Sequence, residues 1–172
     1  MPAPALSYLQ TLATIAITFV GFASLIIILR QTLGGDMSQL DVLLTKTFIQ
    51  LGFIVTAGAL LPSLLALLPC SASSAWRISS LMVALPILIF AIAYPLRRHV
   101  ASGVRTPGRV WLDVVVLVLS ACALLVNALG GYPTLEAPVF SASVTAMLYV
   151  AGLAYLQALG ILLRQHWASH HT

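Results

Sequence analysis

Five continuous apolar runs, each about twenty residues long and so able to cross a bilayer as a helix, constrain the fold of this chain more than any other feature. The strands of a transmembrane barrel would instead alternate polar and apolar residues over about ten positions, whereas these runs are continuous. We therefore predict an all-α polytopic transmembrane helical bundle with five spans at residues 7–29, 42–68, 78–96, 110–129 and 139–163.

The composition supports this class of protein. Charged residues make up 7% of the 172 residues and hydrophobic residues 60%, whereas a soluble domain is about 25% charged. This scarcity excludes a soluble enzyme, a nucleic-acid-binding protein, a secreted disulfide scaffold and a disordered chain. The connections between spans are about a dozen residues or fewer, so we predict one transmembrane domain over residues 1–172, with the lipid bilayer as its surroundings.

The cations are divided unequally between the two faces of the predicted bundle. With five spans the termini lie on opposite faces, and Arg77 is the one cation on the face opposite the C-terminus. The positive-inside rule places the other face in the cytoplasm. We therefore expect the N-terminus outside and a cytoplasmic C-terminus, on the face that carries Arg30, Lys46, Arg97, Arg98, Arg105, Arg109 and Arg164.

Small and hydroxyl residues form stripes at helical spacing in three spans. The first span carries Ser7, Thr11, Thr14, Thr18 and Gly21. The second carries Thr45, Gly52, Thr56, Ala59 and Ser63. The fifth carries Ser141, Thr145, Tyr149 and Gly152. Such stripes mark faces that meet water or another helix, so each one predicts either a hydroxyl-lined path or close helix packing.

The fourth span carries Asp113, Ser120 and Asn127 at intervals of seven residues, which places all three on one face. A carboxylate facing lipid would cost a few kcal/mol, so we expect this face to point into the protein. Asp113 is the one acid within a predicted span, because Asp36 and Asp41 fall in a cytoplasmic loop and Glu136 in an outer loop.

Lys46 enters the second span at a depth similar to that of Asp113, with Gln50 one turn deeper on the same face. We predict that Asp113 pairs with Lys46, with Arg109 as the local rival. If Asp113 titrated, it would be a proton site in a transporter. If it stays ionised and paired, it is a structural clasp or part of a charged vestibule.

Signatures of enzymes and metal sites are absent from the sequence. It has no His-Glu-x-x-His, Gly-x-Ser-x-Gly or phosphate-loop motif. His166 and His170 are four residues apart, but no second helix offers complementary ligands, so we interpret them as part of a solvated tail. We predict a protein that is not an enzyme and that has no metal and no cofactor.

The first span, from Thr18-Phe19-Val20-Gly21-Phe22-Ala23-Ser24 through Leu29 to Arg30, resembles small uncharacterised membrane proteins of bacterial genomes. The resemblance covers this span alone. It implies a multi-pass protein of the bacterial inner membrane and brings no activity with it.

Two functions remain open from the sequence. The first is an oligomeric channel or pore for ions or small polar solutes, built as a homo-oligomer. The alternative is a non-conducting accessory or scaffold subunit of a larger membrane complex, bound to a membrane-protein partner. The pore or polar-face candidates are Thr11, Thr14, Thr18, Lys46, Gln50, Thr56, Asp113, Ser120 and Asn127.

Overall fold

A computed structural model describes residues 3–32, 39–102 and 108–169, and in these residues α-helix is the only regular secondary structure. All five helices are long and apolar enough to cross a membrane, so the predicted fold class of five spanning helices is confirmed and the chain is a multi-pass membrane protein. The helices are α1 Ala3–Thr32, α2 Gln39–Leu65, α3 Ala72–Ser102, α4 Gly108–Ala128 and α5 Glu136–Ser169.

Most helix ends extend beyond the apolar runs that predicted them. An apolar run measures only the part of a helix that matches the hydrocarbon, whereas backbone hydrogen bonding continues into the polar interface. Helix α3 therefore begins six residues before its predicted span. Glu136, which we expected in an outer loop, is the first residue of α5, and Arg77 lies in the second turn of α3.

The five helices form a closed ring in which each packs against its neighbours in the chain and α1 also packs against α5. Helix α5 additionally contacts α2 and α3, so it leans into the middle of the ring. Within the described residues, α1 does not pack against α3 or α4, and α2 does not pack against α4.

Successive helices run in opposite directions, which gives the bundle two ends. The starts of α1, α3 and α5 meet the ends of α2 and α4 at one of them, which we call the Arg77 end. The other is the Arg97 end, where α3 finishes and α2 and α4 begin. This arrangement separates Arg77 from the remaining described cations.

The interior of the bundle is filled by apolar side chains. Those of α5 lie at its centre and are almost completely buried: Phe140, Val144, Met147, Val150 and Ala151. Trp76 of α3 packs on Phe140 with ring centroids 5.5 Å apart. Because this side of α5 is apolar and packed, it presents no polar path through the described part of one protomer.

Glycines on α2 allow its close approach to two neighbours. A Cβ on Gly52 would collide with the Val20 side chain of α1, and one on Gly58 would lie 2.8 Å from Cγ2 of Val83 on α3. Since lipid is as apolar as the helices, close van der Waals packing of this kind is a main source of helix association in a membrane.

Candidate functional site

The polar face of α1 points away from the rest of the protomer. Its hydroxyls, which we call the α1 hydroxyl row, are all exposed: Ser7, Thr11, Thr14 and Thr18. At about 100° per residue, the row lies opposite the packed face of α1, where Leu9, Ala16 and Val20 are at most 4% exposed. The sequence identified this stripe, and the structure places it on the outer surface.

Each hydroxyl of the row donates a hydrogen bond to a carbonyl of its own helix. Thr11 Oγ1 donates to the Ser7 carbonyl at 3.0 Å, and Thr18 Oγ1 donates to the Thr14 carbonyl at 2.7 Å. Ser7 and Thr14 make the equivalent bonds. The donors are thereby satisfied without water, while each oxygen keeps a lone pair that can accept from a neighbour.

The outward faces of α3 and α4 differ from that of α1. They are dominated by large aliphatic side chains such as Ile89 and Ile92 on α3 and Leu112 and Leu119 on α4, each more than 60% exposed. Helix α1 is also the least enclosed helix, with 28% of its apolar window buried against 39–44% in the other four. The row therefore contrasts with the lipid-like faces of α3 and α4.

The stripe on α2 is a packing face. Gly52 and Ala59 are buried, and the Thr56 hydroxyl donates to the Gly52 carbonyl at 2.8 Å. Of the two interpretations of this stripe, the structure shows close helix contact.

The stripe on α5 makes a side-chain hydrogen bond to α1. Thr145 donates to the Ser141 carbonyl at 2.7 Å, so its proton is already used. The Tyr8 hydroxyl, 2.8 Å away, therefore donates to the Thr145 oxygen. Tyr149 on the same face is 65% exposed.

The expectation that the polar face of α4 points into the protein is confirmed for the two residues farther along the helix. Ser120 is 7% exposed and Asn127 is fully buried. Asn127 Nδ2 donates to Ser80 Oγ of α3 at 2.9 Å and to the backbone carbonyl of Glu136 at 3.1 Å. Because a carbonyl can only accept, this contact fixes the orientation of the carboxamide.

Beside Asn127, Glu136 forms a half-buried ion pair that the sequence did not predict. Its Oε1 accepts from Arg77 Nε at 3.0 Å and from Ser73 Oγ at 2.6 Å. The Glu136 side chain is 8% exposed, whereas that of Arg77 is 42% exposed. The pair was missed because both residues lie outside the apolar runs. The combination of a helix-starting acid and the lone cation of that face was the available signal.

The turn at Gly130 leaves space for the Arg77 guanidinium. Gly130 has a φ of 81°, and it ends α4 in a Schellman motif: Gly131 N donates to the Val126 carbonyl at 2.9 Å and Gly130 N to that of Asn127 at 3.0 Å. A Cβ on Gly130 would lie 2.9 Å from Cζ of Arg77. The glycine thus provides both the left-handed backbone and the space.

The predicted pairing of Asp113 with Lys46 is wrong. Asp113 on α4 lies beside the Gln157 side chain of α5 and within electrostatic reach of Arg98 on α3. Lys46 is exposed on α2, a helix that does not pack against α4 in the described residues, because α5 lies between them. Arg109, the local rival, is also exposed. The predicted depths of Lys46 and Asp113 were similar, but hydropathy and spacing do not specify which helices are neighbours.

Gln50 lies at another place again, in a groove between α2 and α3. The pore candidates consequently do not converge: the α1 hydroxyl row points outward, Thr56 packs within the bundle, and Asp113 faces α3 and α5.

Within the described residues no group of three metal-ligating side chains occurs. Several residues of the sequence analysis fall outside the described residues or side chains: Arg30, Asp36, Asp41, Arg105, Arg164, His166 and His170.

Comparison of the sequence and the fold with family models, curated proteins and solved structures gives no match.

Proposed function

We propose that this protein is a non-conducting scaffold or accessory subunit of the bacterial inner membrane that self-associates through the α1 hydroxyl row. The observation that carries the proposal is the outward position of this row on the least enclosed helix, in contrast to the aliphatic outer faces of α3 and α4. A second copy would bring the same small side chains and Gly21, where an added Cβ meets nothing within 4 Å. Small residues of this kind allow two membrane helices to approach closely.

The length of the row argues against a conducting path. From Ser7 to Thr18 it covers about 16 Å at 1.5 Å per residue, roughly half of a hydrocarbon core of about 30 Å. Beyond it the outward face of α1 is apolar, with Phe22, Leu25 and Ile28 each more than 50% exposed. The charged and amide residues expected at a pore mouth face other directions.

An oligomeric pore is the second candidate, and the outward position of the hydroxyls is what favours it. In a ring of copies the row would line the wide half of a pore. Phe22 and Leu25 would then form an apolar constriction of the kind that gates by dewetting.

The proposed orientation rests on the charges of the described residues. Lys46, Arg97, Arg98 and Arg109 lie at one end of the bundle and Arg77 at the other. Under the positive-inside rule the Arg97 end is cytoplasmic. This supports an external N-terminus and a cytoplasmic C-terminus.

Single cysteines distinguish the two candidates. In a background of Cys70→Ser and Cys122→Ser, we expect Thr14→Cys to give cross-linked dimers in liposomes and to be inaccessible to a membrane-impermeant thiol reagent. Leu119→Cys, on the exposed apolar face of α4, is the matched control and should give no dimers. The same liposomes should show no ion flux.

If liposomes with Thr14→Cys conduct ions and the impermeant reagent blocks this flux, the scaffold proposal is wrong and the oligomeric pore is supported. A monomer in mild detergent and in nanodiscs, without cross-links, would remove both candidates.

A further inference from the structure

A groove of about 400 Å³ lies between α2 and α3, and it is independent of the α1 hydroxyl row. Its walls are apolar and partly outward-facing, with Phe53 at 53% and Ile89 at 68% exposure. Ile54 and Phe90 line it as well. Its volume falls within the range typical of small-molecule sites, about 300–1,000 Å³.

Polar groups occur in this groove toward the Arg97 end. Gln50 and Arg97 both line it, and Lys46 lies one turn from Gln50 on the same face of α2. Arg97 and Lys46 are exposed, and the lining includes no acidic residue. This end of the groove is therefore positively charged.

Gln50 provides a second, independent observation. It lies well inside the span of α2, and among the described residues its carboxamide has no hydrogen-bond partner. A carboxamide without a partner in hydrocarbon costs free energy, so an occupant that brings an acceptor to Gln50 is favoured over a plain acyl chain.

The depths of these groups match the polar part of a glycerophospholipid. Gly58 of α2 faces Val83 of α3, and in an antiparallel pair this register sets Arg97 near the level of Lys46. Gln50 lies about 6 Å deeper, one turn at about 1.5 Å per residue. A phosphate at the level of the two cations places its ester carbonyls next to the carboxamide.

We propose that the α2–α3 groove binds one anionic diacyl phospholipid. Arg97 donates to the phosphate with Lys46 beside it. The Gln50 amide donates to an ester carbonyl, and an acyl chain lies along Phe53, Ile89 and Phe90. Proteins that assemble in a membrane can hold such a lipid as a structural component, whatever the outcome for α1.

Native mass spectrometry on the full chain tests this proposal. Protein in mild detergent is offered equimolar phosphatidylglycerol and phosphatidylcholine. We expect one phosphatidylglycerol to be retained about tenfold better, because its head group keeps a net negative charge, whereas the choline ammonium of phosphatidylcholine offsets its phosphate beside Arg97 and Lys46. Arg97→Gln should remove the preference. Gln50→Leu should weaken retention of both lipids by a similar factor, since both have ester carbonyls.

Arg109→Gln is the matched control, because Arg109 is an exposed cation at the same end that does not line the groove; it should keep the preference. Ile89→Trp should fill the groove and release both lipids. The helix content and thermal midpoint of each variant verify its fold. Arg97→Gln and Gln50→Leu test the polar end of the groove, and Ile89→Trp tests its apolar part separately.

Three outcomes would overturn the proposal. Equal effects of Arg97→Gln and Arg109→Gln would show that retention of the anionic lipid depends on the overall surface charge and not on the groove. Equal retention of the two lipids by the wild type would show that the groove does not select charge. Displacement by glycerol phosphate, which lacks acyl chains, would assign the site to a free phosphate.

Discussion

At the scale of single residues, Asn127 connects three helices at the Arg77 end. It belongs to α4 and donates to Ser80 of α3 and to the backbone of Glu136 on α5. The Glu136 side chain in turn accepts from Ser73 and Arg77 of α3. These polar contacts are directional, so they define which helix ends meet, a property that the apolar core alone specifies less strictly.

Replacement of Asn127 should therefore destabilise the protomer. We expect Asn127→Leu to lower stability by about 1–3 kcal/mol, because the buried Glu136 carbonyl and Ser80 lose their donor. Asn127→Asp should cost more, because a carboxylate cannot donate and would face a carbonyl oxygen. The thermal midpoint in mild detergent measures both.

Gln10→Leu provides the control for Asn127, since it removes an exposed carboxamide from α1. Its effect should stay within about 0.5 kcal/mol. Similar midpoints for the Asn127 and Gln10 variants would contradict a structural role for the buried amide.

At the scale of helices, α2 is the element whose neighbours depend on glycine. The absence of a side chain at Gly52 leaves space for Val20 of α1, and its absence at Gly58 leaves space for Val83 of α3. Gly21 of α1 and Gly152 of α5 have open space instead. The same residue type thus marks close packing on one helix and an outer surface on another, and the sequence stripe alone does not distinguish them.

We expect Gly52→Ala to destabilise the protomer by about 1–3 kcal/mol through overpacking against Val20. Gly152→Ala on α5, the matched control, should be neutral or stabilising by up to about 1 kcal/mol, because an added Cβ there meets nothing within 4 Å and alanine is the better helix former. Combining Gly52→Ala with Val20→Ala should recover part of the loss in thermal midpoint. A Gly52→Ala variant as stable as Gly152→Ala would show that α1 and α2 do not approach closely.

At the scale of the whole molecule, the position of α5 in the ring of five helices separates the polar groups. Helix α5 contacts all four other helices, and most of its buried side chains are apolar, Ser143 being a buried hydroxyl. Because α5 lies between α2 and α4, the polar groups of those helices face different surroundings. The protomer consequently presents separate surfaces, a hydroxyl row on α1 and a lipid-sized groove between α2 and α3, in place of one central site.

The orientation of the molecule can be tested with a native residue. Cys70 is exposed and follows α2 at the Arg77 end. In a Cys122→Ser background we expect an impermeant maleimide to label it in intact spheroplasts. In the further variant Cys70→Ser with His99→Cys, whose new thiol lies at the Arg97 end, labelling should require permeabilisation. The reverse pattern would place the N-terminus in the cytoplasm.

The sequence by itself determined the five helices, their approximate positions and the inward face of Ser120 and Asn127. These follow from run length and helical period, which are local properties of the chain. The helix ends were less predictable, since hydropathy does not report helical structure in the polar interface, and Arg77 and Glu136 lie there.

Only the tertiary structure decided which helices are neighbours. In the structure, Gln157 and Arg98 lie beside Asp113, and the α1 hydroxyls face outward. A polar stripe in the sequence shows which residues share a helix face, but it does not show whether that face contacts another helix, water or lipid. The partner of each face is set by packing between residues far apart in the chain, and here the position of α5 separates Lys46 from Asp113.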